Sequence, residues 1–174
     1  MNDTDYRKLL LSAAFHAMTC DGELHQDELD SIQILSEKSK IFGDLELSTE
    51  LNQLSNELRE STRASFKRFF TELQSANLEL SAQMQVVEVV IRVVYADGRI
   101  DENEIMYMNK IISILGILPE LLEQRFGSIR ELLGLSEQQT YSSATKETDF
   151  QPPQITDLGK ITFTELNDGN AESR

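Results

Sequence analysis

The chain has 174 residues and a single cysteine, and its 30 acidic against 16 basic residues leave a formal charge of −14. A surface of that sign repels nucleic-acid phosphates and anionic bilayers, although Arg63, Lys67 and Arg68 form a local basic cluster against the balance. One cysteine, Cys20, excludes an intramolecular disulfide, and a chain of this size needs neither disulfides nor a structural metal to be stable.

Met1 to Tyr6 contains no basic and apolar leader, and no long apolar run follows, so the expectation is a cytoplasmic protein without direct membrane insertion. Helical stretches are expected at about Tyr6–Cys20, Asp27–Ile41, Ser48–Glu60 and Ser61–Ala76. In the third, Leu47, Leu51, Leu54 and Leu58 recur at the spacing of one helix face, as do Phe66, Phe69, Phe70 and Leu73 in the fourth. The most apolar segment, Val86 to Ala96, reads as the central buried helix and stops at Asp97-Gly98. Ile105, Met108, Ile111, Ile112 and Leu115 then mark an amphipathic helix closed by Gly116, and Pro119 suits the start of a short helix through Arg125. Ser128 with Glu131 has capping-box spacing before Leu132 and Leu133, which brings the expectation to about eight helices and an all-α compact bundle.

From Ser136 the composition turns to Ser, Thr, Gln and Glu with a Pro152-Pro153 pair, so a domain over 1–135 and a polar tail over 136–174 are expected. Within the tail, Ile161, Phe163 and Leu166 give residues 160–166 some β character. That segment could add to a partner's sheet edge, fold back on the domain, or stay solvated.

The most informative feature is an internal repeat. Cys20-Asp21-Gly22-Glu23-Leu24-His25-Gln26-Asp27-Glu28-Leu29 aligns, 76 positions on, with Ala96-Asp97-Gly98-Arg99-Ile100-Asp101-Glu102-Asn103-Glu104-Ile105. Leu10, Leu11, Ala14 and Phe15 map onto Val86, Val87, Val90 and Ile91, so the apolar face repeats with the loop. Two pseudo-symmetric helix–loop–helix hairpins are expected. The glycines allow a sharp helix end, Leu24 and Ile100 would plug the loops, and Asp101 with Glu104 has capping-box spacing, whereas His25 replaces that Asp in the first copy.

The same string is like the second half of an EF-hand loop, but Ala17, Thr19, Val93 and Tyr95 stand where earlier oxygen ligands would be needed. Calcium takes about six to eight oxygens, so an ordinary EF-hand is not expected and capping is the simpler role. If the two loops lie side by side, however, Asp21, Glu23, Asp27, Glu28, Asp97, Asp101, Glu102 and Glu104 concentrate charge that attracts divalent cations or basic partner surfaces.

The doubled Ala/Cys-Asp-Gly-x-Leu/Ile motif, followed by Glu-Leu/Ile, resembles the TerB-like tellurite-resistance family and the related domain of a membrane-anchored J-protein co-chaperone, over about Tyr6 to Leu135. The resemblance implies a compact all-α fold of about seven helices and a bacterial cytoplasmic protein. Its implied role is resistance to tellurite, other chemical stress or phage, through protein complexes associated with the membrane. It also implies acidic metal-binding residues, which map to Asp21, Glu28, Asp97, Asp101 and Glu104, with Ca, Mg, Mn and Zn left open. No J-domain is present, so co-chaperone activity does not transfer.

Catalysis finds little support. The histidines are His16 and His25; His16 lies one turn before Cys20, which could make a reactive thiolate, but the repeat places Ala96 at that position and favours a structural Cys20. Phosphate-loop, zinc and hydrolase signatures are missing from the sequence. The expectation is a non-enzymatic interaction module needing no cofactor, with a divalent-cation-binding sensor as the alternative.

Overall fold

A computed structural model describes residues 1–23, 26–96, 98, 100–127 and 150–153. Within them the chain forms seven helices and no strand: α1 (Asp3–Met18), α2 (Gln26–Ser39), α3 (Leu47–Glu60), α4 (Thr62–Ser75), α5 (Leu80–Val94), α6 (Glu102–Leu115) and α7 (Pro119–Phe126). The all-α class expected from periodicity is therefore the observed one. The helix expected after Ser128 and the 160–166 segment lie outside the described residues.

Local chemistry sets the helix ends. The Asn2 side chain accepts from the Asp5 N–H and starts α1 three residues before the expected Tyr6; Ser61 caps α4 by accepting from Ala64. α2 stops at Ser39 because Lys40 adopts a left-handed φ of 50°, so Ile41 falls in the following turn. Pro119 occupies the first turn of α7, as its fixed φ favours. Gly116 ends α6 in the left-handed conformation, its N–H reaching the carbonyls of Ile112 and Ser113.

Leu47, Leu51 and Leu58 of α3 and Phe66, Phe69 and Leu73 of α4 are buried, as their spacing predicts, while Leu54 and Phe70 are half-buried at the margins. α5 is longer than the apolar run that announced it, beginning at Leu80 with its first two turns half-exposed. It buries Val86, Val87, Val89, Val90, Val93 and Val94 but leaves Arg92 exposed and Glu88 half-exposed. The most enclosed helix is instead α1, buried on every side from Leu9 to Met18. Its Ser12, Ala13, Ala14 and Ala17 let neighbours approach closely, and α3, α4, α5 and α6 all pack on it. Hydropathy underrates such a helix because small and polar residues score poorly even when they sit at the centre of a bundle.

Two long-range hydroxyl bonds tie the outer helices to the inner pair. The Tyr107 hydroxyl on α6 donates to the Ala13 carbonyl of α1 at 2.9 Å, and Ser31 on α2 donates to the Arg92 carbonyl of α5 at 3.0 Å. Ser31 and Tyr107 are themselves 76 positions apart, the offset of the sequence repeat.

Candidate functional site

The two repeat loops share their backbone hydrogen bonding. After α1, the Cys20 N–H donates to the Ala17 carbonyl at 3.3 Å and the Gly22 N–H to Thr19 at 3.2 Å; after α5, Ala96 donates to Val93 and Gly98 to Tyr95, each at 3.1 Å. The repeated glycines take positive φ, 91° at Gly22 and 76° at Gly98, which an L-residue adopts only with strain. Ile100 is half-buried against the core in the plugging role the sequence suggests; Leu24 and His25 lie outside the described residues.

At the second loop, Asp101 accepts from the Glu104 N–H at 2.8 Å while the Glu104 carboxylate accepts from the Asp101 N–H at 2.7 Å, a complete capping box. At the first loop, Asp21 accepts from the Glu23 N–H at 2.9 Å. Glu28, in the first turn of α2, is only 5% exposed. Thus Asp101, Glu104 and Asp21 each already serve the backbone. Asp97 falls outside the described residues.

Charges from both loops reach Cys20 electrostatically. Its thiol is fully buried, and burial first, then the negative charges of Glu104, Asp21, Asp101 and Glu28, push its pKa well above the ordinary value. The first and third of those carboxylates come from the second loop and the other two from the first, so both copies act on one buried sulfur. Among the described residues no three carboxylate, histidine or cysteine side chains are placed to hold a metal ion together.

His16 is not Cys20's partner. Its Nδ1 lies 2.8 Å from the Ser12 carbonyl, which can only accept, so Nδ1 carries the proton and Nε2 accepts from the Ser65 hydroxyl at 3.0 Å. The ring stacks on Phe69 with centroids 4.9 Å apart. Burial lowers its pKa to about 4, the Ser12 bond opposing and Arg68 adding to the shift. Both ring nitrogens are thus occupied in the core, and the thiol is held protonated, which supports the structural reading of Cys20.

The profile of the family described as "Tellurite resistance protein TerB" matches residues 7–125. The chain belongs to the TerB family. No match was found among curated proteins or among solved structures. The match runs from α1 to α7 and includes both loops. One residue beside them was not singled out as a candidate site by sequence reasoning: Tyr95, at the end of α5, is 48% exposed next to the second loop of this TerB domain. The sequence marks Tyr95 only as a position lacking a calcium-ligand oxygen, and the fold shows it turned outward.

Proposed function

We propose that the chain is a non-enzymatic TerB module of bacterial stress resistance, serving against tellurite, other chemical stress or phage, and that it acts in the cytoplasm by contacting protein partners. The observation that carries this reading is the concentration of acidic residues in the two repeat loops of a chain whose charge is −14. Such a face attracts basic protein surfaces and raises their association rate, while it repels nucleic acid. Exposed Tyr95 adds an aromatic contact of the kind enriched at interfaces. No single helix among the described residues is long and apolar enough to cross a membrane.

Affinity capture with the full chain tests the reading. A captured partner should be lost at high salt and lost from an Asp21→Lys, Glu102→Lys variant that keeps its helical circular dichroism. Retention by that variant would remove the acidic face from the interface, and loss on truncation after Ser136 would move it to the tail.

A second reading is a divalent-cation-binding sensor, supported by the density of acidic residues in the two repeat loops. Calorimetric titration with Ca, Mg, Mn and Zn separates the two: saturable binding supports the sensor, and its absence leaves the partner module.

A further inference from the structure

The basic cluster noted in the sequence has a structural sequel far from the acidic loops. Arg68 is neutralised by Glu57 at 2.7 Å, but Arg63 and Lys67 on α4 line a groove of about 540 Å³ together with Lys110 on α6. None of these three cations has an ion pair among the described residues, although the chain carries 30 acidic groups that could have supplied one. Phe66 and Phe70 also line the groove.

One wall of that groove is itself a peptide segment. Phe150, separated in sequence from α7, is 8% exposed, with its ring centroid 5.2 Å from Phe66 and 5.8 Å from both Phe70 and Tyr107. Gln151 and Pro152 continue along the groove wall without forming helix or strand. The sequence around this anchor, Glu147-Thr148-Asp149-Phe150-Gln151-Pro152-Pro153, combines two acids, one aromatic ring and two prolines.

We infer that the groove between α4 and α6 is a docking site for an extended acidic peptide of a partner protein carrying a phenylalanine anchor, and that residues 150–152, which wall it, hold the anchor position as a ligand supplied in cis. The partner's ring would take the place of Phe150 among Phe66, Phe70 and Tyr107, where a buried aromatic supplies most of a peptide's affinity. Its carboxylates would meet Arg63, Lys67 and Lys110, which gives the site a sign opposite to that of the rest of the molecule. Because the cis segment is tethered, it competes at a high effective concentration, and a partner must displace it. This inference is independent of the acidic face and survives if that face binds nothing.

The test uses the full chain and a fluorescent peptide with the sequence of residues 147–154, followed by anisotropy. Phe150→Ala vacates the anchor position and should bind the peptide saturably, with the wild type weaker by about tenfold or more because its own segment competes. Adding Lys67→Glu and Lys110→Glu, both at the groove margin, should abolish binding. An absence of saturable binding by Phe150→Ala with native circular dichroism, or binding indifferent to the two charge reversals, would overturn the proposal.

Should Phe150→Ala lose its fold, the wild type carries the test by NMR. Excess peptide should shift the amides of Thr71, Gln74 and Ser113 and leave Asp101 and Glu104 unmoved, and the reverse pattern overturns the assignment. A concentration-dependent wild-type dimer that Phe150→Ala abolishes would give the groove to a second copy. Binding to phosphatidylserine vesicles in place of the peptide would give it to a membrane. Either result overturns the proposal.

Discussion

His16 shows how little spacing alone says about a side chain's partners. Four positions before Cys20, it reads as a neighbour of the thiol, yet its ring is held by Ser65 and Phe69 of α4, about fifty positions away in sequence. The neutral ring fills both hydrogen bonds, so protonation would place a buried charge beside a carbonyl on one side and force the Ser65 hydroxyl to turn on the other. Its pKa is about 4 when folded against 6.5 ordinarily, so below about pH 6.5 the unfolded chain takes up a proton that the folded chain refuses. The contribution of His16 is therefore intact above that pH and falls as the pH drops towards 4, by a total on the order of 3 kcal/mol. Two-dimensional NMR should show the His16 imidazole keeping neutral shifts at pH 5, while urea melts show stability falling over that window. An imidazole titrating near pH 6.5 in the folded protein would contradict the assignment. Cys20 is buried as a structural residue would be, but its repeat counterpart Ala96 is exposed, so the burial of the thiol came from packing and not from the repeat.

Helix caps were readable because both halves of the chemistry lie within four residues. Asp101 and Glu104 form the box their spacing announced, and Gly98 takes the positive φ its place after a helix demands. Asp101→Ala should cost about 1 kcal/mol, measured by urea denaturation, whereas Asp101→Asn should recover most of it because the amide oxygen still accepts from the Glu104 N–H. Equal losses for both variants would mean that the carboxylate's charge, and not the cap, is what matters at this position. Helix lengths were less legible. α5 begins six residues before its apolar run, since its first turns are half-exposed and are held by bonds such as Tyr6 to Gln85 at 2.7 Å, with the Tyr6 phenol pushed up to about 12 by burial. Such contacts leave no trace in hydropathy.

The molecule as a whole carries far more negative charge than its ion pairs neutralise. The pairs at Arg7, Lys8, Arg68, Arg92 and Arg125 are surface pairs, each worth about 0–1 kcal/mol, while the net charge of −14 repels itself across the surface. Screening should relieve the larger effect, so the melting temperature is expected to rise between about 0.02 M and about 0.3 M NaCl. A fall would show that the ion pairs outweigh the repulsion. The all-α class, the faces of α3 and α4, the second-loop cap and the doubled loop followed from the sequence, because each is set by periodicity or by residues a few positions apart. The enclosure of α1, the separation of His16 from Cys20, the outward turn of Tyr95 and the seating of Phe150 against α4 and α6 were decided by tertiary packing. Each depends on which distant helix supplies the neighbouring surface, and local sequence does not encode that neighbour.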